Sequence, residues 1–168
     1  MLTKLSLLGN RAAVQDFLGP TCRFFPCLKA LSLDLITPDS QAQLDLTVLQ
    51  PLTSLQRLSC SEWQHVELRT TTVLLQLTHL AFTDVAVGDI VGALPSLQVL
   101  VVDTADAFVL MDDPCSEQLC FPQLSELRLS DIGYTAAGLD ATPRLARLEA
   151  VDFREFSVFG MAELCHLT

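Results

Sequence analysis

Phe121-Pro122-Gln123-Leu124-Ser125-Glu126-Leu127-Arg128-Leu129 carries a spacing that the rest of the chain repeats. With Leu124 as the first position of a ruler, Leu127 is the fourth and Leu129 the sixth, and the ruler fits the sequence seven times. The other sets are Leu2/Leu5/Leu7, Leu28/Leu31/Leu33, Leu55/Leu58/Cys60, Leu77/Leu80/Phe82, Leu97/Leu100/Val102 and Leu145/Leu148/Ala150, and Leu164/Leu167 begin an eighth. First positions at 2, 28, 55, 77, 97, 124, 145 and 164 give periods of 26, 27, 22, 20, 27, 21 and 19 residues. A proline stands two residues before the first leucine at Pro26, Pro95, Pro122 and Pro143. Its missing donor and fixed φ suit the start of a short strand.

In an extended segment alternate side chains point to opposite faces, so the fourth and sixth positions share one face and the third, fifth and seventh the other. The leucines go inward. Parallel rungs stacked about 4.8 Å apart then bury leucine on leucine, each worth roughly 1.5 to 3 kcal/mol. The outward positions form a second, mixed surface with small and hydroxyl residues at its centre. From it we take Asp34, Arg57, Ser59, His79, Thr83, Asp103, Arg128, Ser130, Arg147 and Glu149 as candidate partner-binding residues. Arg57, Arg128 and Arg147 suit carboxylates, and the eighth-position acids Glu62, Asp84, Asp131 and Asp152 suit basic side chains. Any solvated strand surface shows similar residue types, so the ruler marks a face rather than individual contacts.

The segments between rungs are less regular. Arg11 to Leu18 has helical spacing and is stopped by Gly19-Pro20, and Pro38-Asp39-Ser40 opens a second expected helix from about Gln41 to Gln50. Arg69 to Val73 reads as extended or helical, because its β-branched residues favour strands. Gly88 to Leu94 predicts a short helical turn, and Asp106 to Met111 one helical turn or two. Asp112 to Leu119 predicts a mobile loop, and Tyr134 to Thr142 a connection punctuated by Gly133 and Gly138.

Half of the 168 residues are apolar, ample for one continuous core, and the length fits a single domain, 1–168, of about seven rungs plus a truncated eighth. Because Met1 stands one residue before the first ruler leucine, the first rung has no preceding cap, and we expect a fragment of a longer chain. Ten Lys+Arg against twenty Asp+Glu give a net charge of −10, which argues against nucleic acid or an anionic membrane as partner. The apolar run from Ile90 to Val102 contains Pro95 and falls short of the roughly 20 residues that span a bilayer. Asn10 and Arg11 follow the Leu5 to Leu8 run too soon for a secretory signal. The expected location is intracellular, cytoplasmic or nuclear.

Cys22/Cys27 and Cys115/Cys120 share a spacing of five, but Cys60 occupies a sixth-position core slot and Cys27 and Cys165 flank first-position leucines. Reduced thiols fit better than a disulfide framework. His65, His79 and His166 complete no zinc set, and no metal or cofactor is expected. There is no G-x-S-x-G, P-loop, H-E-x-x-H or dinucleotide fingerprint, so no catalytic residue is assigned and an enzyme is not expected.

L-x-x-L-x-L at these periods resembles the leucine-rich-repeat family, whose repeats run roughly 20 to 29 residues. The resemblance covers nearly the whole chain. It implies an α/β solenoid, a horseshoe arc with a parallel concave sheet and variable helices or turns on the convex side. In that family the ninth position is usually asparagine or cysteine, hydrogen-bonded from rung to rung. Here it is Asn10, Ile36, Trp63, Val85, Ala105, Ile132 and Phe153, which implies an apolar spine at the turn. That departure and the Pro-x-Leu-x-x-Leu opening are similar to irregular intracellular repeats of F-box-associated proteins. The implied function is a non-catalytic module that binds a protein partner on its concave strands, in such proteins as the substrate receptor of a ubiquitin ligase, although no F-box occurs in these residues. The competing reading is a structural repeat segment that associates edge to edge through uncapped ends.

Overall fold

Seven of the chain's strands line up in one sheet, in chain order and all parallel. The structure is a computed structural model that describes residues 1–18, 21–36, 43–63, 65–68, 74–83, 87–90, 94–110, 122–138 and 144–159. The strands of this main sheet are β1 (Lys4–Gly9), β2 (Ala30–Leu35), β4 (Arg57–Ser61), β6 (His79–Thr83), β8 (Val99–Leu110), β9 (Glu126–Gly138) and β10 (Arg147–Phe159). A second sheet of three parallel strands is built from the connectors: β3 (Gln43–Asp45), β5 (His65–Leu68) and β7 (Val87–Ile90).

The leucine ruler is the register of the main sheet. Third positions pair in sequence, Lys4 with Ala30, Ala30 with Arg57, then His79, Val99, Glu126 and Arg147, and every later position follows in step. Consequently Leu31, Leu58, Leu80, Leu100 and Leu127 stack at the fourth position, and Leu33, Cys60, Phe82, Val102 and Leu129 at the sixth, all buried. The intervening residues remain half-buried or exposed, the alternation that a two-residue side-chain period demands.

The junction between repeats is made by main chain. The second-position carbonyl of one repeat accepts from the N–H groups at the second and third positions of the next: Thr3 from Lys29 and Ala30, Lys29 from Gln56 and Arg57, Gln56 from Thr78 and His79. Thr78, Gln98 and Ser125 continue the series, at 2.8 to 3.1 Å throughout. Side-chain hydroxyls reinforce it, with Thr78 Oγ1 donating to the Gln56 carbonyl at 3.0 Å and Ser125 Oγ to that of Gln98 at 3.1 Å.

Ahead of each strand, the first-position N–H closes a turn onto the carbonyl three residues earlier, as in Leu28 to Phe25, Leu55 to Leu52, Leu77 to Leu74 and Leu97 to Leu94. Pro26 and Pro95 occupy the second residue of these turns, not the start of a strand. A fixed φ near −65° suits that turn position, and no donor is needed there.

The connectors correct several expectations. Arg11–Leu18 is a helix, α1, capped by Asn10, whose Oδ1 accepts from the Ala13 N–H at 2.9 Å. Phe17 on α1 stacks on Phe25, with ring centroids 5.9 Å apart. The helix expected over Gln41–Gln50 is instead β3 followed by a 3-10 turn at Leu46–Leu49. Leu44, Leu46 and Val48 alternate as well as they spiral, and β5 beside them supplies main-chain partners from Gln43 to Asp45. Residues 88–90 belong to β7 rather than a helical turn, in keeping with their β-branched surroundings. Likewise β8 runs through Asp106–Leu110 and β9 through Gly133 to Gly138, where helical turns and a punctuated connection were expected. The two strands satisfy each other's main chain from Ala107↔Tyr134 to Leu110↔Ala137, whereas a one- or two-turn helix is marginal by itself. The segments Arg69–Val73 and Asp112–Leu119 lie outside the described residues, as does the eighth rung.

The expected apolar spine at the ninth position is not uniform. Ile36 is 62% exposed, whereas Trp63 is fully buried and donates Nε1–H to the Leu33 carbonyl at 3.0 Å. Glu62 just before it has φ of 64°, a left-handed turn that ends β4 and carries Trp63 into the core. Val85 lies outside the described residues, and Ala105, Ile132 and Phe153 continue the main-sheet pairing.

Cys22, Cys27 and Cys60 are free thiols. Burial, with a smaller contribution from the Asp34 charge, pushes the Cys60 thiol far above its usual range, and burial also raises Cys22. Among the described cysteines, iodoacetamide applied to the folded protein is therefore expected to alkylate half-buried Cys27 before Cys22 and Cys60, which are spared until denaturant is added. Peptide mass mapping checks the order, and early modification of Cys60 would contradict its place in the stack.

Candidate functional site: the outward face of the main sheet

All ten candidate residues sit on outward positions of the main sheet: Asp34 on β2, Arg57 and Ser59 on β4, His79 and Thr83 on β6, Asp103 on β8, Arg128 and Ser130 on β9, Arg147 and Glu149 on β10. The face divides them into two groups with different chemistry.

Over β9 and β10 the charges satisfy one another. Glu126 and Arg147 occupy third positions, Arg128 and Glu149 fifth positions, so opposite charges are neighbours both along and across the strands. Arg128 Nε lies 3.3 Å from Glu149 and also bonds Glu126, while Arg147 bonds Glu149 and lies 3.6 Å from Glu126. The hydrogen bond and charge of Glu126 push the Arg128 guanidinium further above its usual range. Two of the three arginines expected to receive a partner's carboxylates are thus occupied by the protein's own. The next strands show similar local pairing, with Ser130 Oγ donating to Asp103 Oδ1 at 2.6 Å and Ser32 Oγ to Asp34 Oδ2 at 3.0 Å.

Over β1, β2, β4 and β6 the face opens into a depression of about 450 Å³. Ser6, Ser32, Ser59 and Ala81 at fifth positions and Ala30 at a third position give it a floor of small side chains, and Lys4, Arg57 and His79 form its third-position rim. Among the described residues neither Lys4 nor Arg57 makes an ion pair. Arg57, Ser59 and His79 are the sequence-selected residues brought together here. Lys4, Ser6, Ala30, Ser32 and Ala81 were not selected, although the same ruler places them on this face and residue type does not separate Lys4 from Arg57 or Ser6 and Ser32 from Ser59.

His79 Nδ1 and the Thr78 hydroxyl oxygen share a hydrogen bond of 2.8 Å whose direction follows the ring's tautomer, and Thr78 Oγ1 also lies 3.0 Å from the Gln56 carbonyl. Burial and, secondarily, the adjacent Arg57 charge lower the pKa of His79, against an opposing pull from Glu126, which favours the neutral ring. The fixed positive charges of the rim are those of Lys4 and Arg57.

Among the described residues no three His, Cys, Asp or Glu side chains come together as a metal site, and no helix is long and apolar enough to cross a membrane. No family model matches the chain, and no curated protein or solved structure matches it either.

Proposed function

We propose that this chain is a leucine-rich-repeat module of the irregular type, a solenoid that binds a protein partner on a concave strand face and performs no catalysis of its own. The observation that carries the reading is the depression over β1, β2, β4 and β6, open, floored with small side chains and rimmed by charges that make no ion pair among the described residues. Small residues let a partner approach the strands closely, and those rim charges give it a reason to orient. The leucine register and the repeated main-chain junctions support the repeat assignment. In an F-box-like substrate receptor of a ubiquitin ligase, such a face is the part that selects the protein to be modified, and we extend that role to this chain inside a cell.

The test is affinity capture from native lysate with the wild-type chain beside Ser59→Trp, which fills the depression without changing charge. A protein retained by the wild type and lost from Ser59→Trp is the expected result. Identical captures on both baits would overturn the binding face.

A further inference from the structure

The geometry points to an acidic, extended peptide segment as the occupant of the depression, held by two carboxylates three residues apart on Lys4 and Arg57. The inference rests on the binding-face reading above and names the chemistry of the partner.

Charge decides the sign. Glu126, Arg128, Arg147 and Glu149 neutralise one another in their ring. No Asp or Glu lines the depression, whose lining carries the fixed charges of Lys4 and Arg57. Lys4 and Arg57 both line the depression, both are exposed, and neither has an anionic neighbour among the described residues. The remaining rim group, His79, shares a 2.8 Å hydrogen bond with the Thr78 hydroxyl through Nδ1 and adds no negative charge. A chain with net charge −10 repels an acidic partner over most of its surface, so this local excess of cations would also set where such a partner lands.

Spacing decides the shape. Lys4 pairs with Ala30 and Ala30 with Arg57, so the two cations are two strand spacings apart, about 9.6 Å. A polyproline-II segment laid across the strands has three residues per turn and advances about 9.3 Å in three residues, bringing side chains i and i+3 to one side at that separation. Ser6, Ser32, Ser59, Ala30 and Ala81 leave the backbone of such a segment room to lie flat, with the hydroxyls of Ser6 and Ser59 within the floor to meet its exposed carbonyls. A β-strand is less suited, because its i and i+3 side chains point to opposite faces.

The test uses fluorescein-labelled peptides of proline and alanine in three forms: two glutamates three residues apart, two glutamates two residues apart, and two lysines three residues apart. Anisotropy is read against the folded chain, its Lys4→Glu/Arg57→Glu variant, Ser59→Trp, and Arg23→Glu as a remote charge reversal of the same kind. The expected result is binding of the three-apart glutamate peptide ahead of the other two, weakened about tenfold or more by Lys4→Glu/Arg57→Glu. Arg23→Glu should leave that binding unchanged, and rising salt should weaken it. Equal or tighter binding of the lysine peptide, or binding indifferent to the double reversal, overturns the inference. If a lysine or uncharged peptide binds and Ser59→Trp abolishes it, the binding face stands and only its acid chemistry falls. If no peptide binds and no captured protein depends on Ser59, both fall together.

Discussion

Replacing Trp63 with alanine is expected to lower the free energy of unfolding by about 3 to 5 kcal/mol, the range for deleting a large buried aromatic side chain. The indole is fully buried, and its Nε1–H reaches back 30 residues to the Leu33 carbonyl of the preceding repeat. Trp63→Phe separates the two contributions. It keeps most of the apolar volume and removes the donor, so a smaller loss, on the order of 1 kcal/mol, is expected. Urea titration followed by far-ultraviolet circular dichroism measures both variants without relying on the lone tryptophan's fluorescence. A midpoint for Trp63→Ala within error of wild type would mean that the left-handed turn at Glu62 does not deliver this side chain to the core.

Leu127→Ala should cost about 2 to 5 kcal/mol, because the side chain is completely buried between Leu100 of β8 and the following strand, and truncation opens a cavity with rung neighbours on both sides. Arg128→Ala, one residue along, serves as its control. That guanidinium is exposed, its ion pairs are open to solvent, and surface pairs of this kind contribute little to stability, so the denaturation midpoint should hardly move. Comparable losses from the two substitutions would be incompatible with the alternation of faces along β9.

These two residues also mark what could be read from the sequence. Leu127 was legible because a two-residue side-chain period leaves only one way to bury Leu127 and Leu129 together, and the same reading from Leu5 to Leu148 reproduces the pairing of all seven main-sheet strands. Trp63 was only half legible. Its ninth position predicted an apolar turn residue, but burial depended on the backbone at Glu62, and Ile36 at the equivalent position stays in solvent. The connectors were least legible: Leu44, Leu46 and Val48 satisfy either a helix or a strand, and what decides is a neighbouring strand supplied by a later repeat.

The candidate face followed the same division. Its membership was legible, since third, fifth and seventh positions emerge on one side. Its chemistry was not, because a charge's availability depends on the residue across the strand rather than on the residue itself. Had successive repeats been aligned on their first leucines, Glu126 over Arg147 and Arg128 over Glu149 would have marked those arginines as occupied, leaving Arg57 with only Ala30 and His79 beside it.

The doubly accepting carbonyl at the second position has a consequence for how such a chain can change length. Each repeat carries its own acceptor forward and its own pair of N–H donors backward, and neither depends on the side chain at that position, which is Thr, Lys, Gln, Thr, Gln and Ser in turn. A segment excised or duplicated from one second position to the next brings matched couplings at both ends, whatever the length of its connector. Whole units, from 20 to 27 residues among the first six, are therefore interchangeable modules, and recombination in frame with the leucines alters the extent of the face without requiring a new kind of joint.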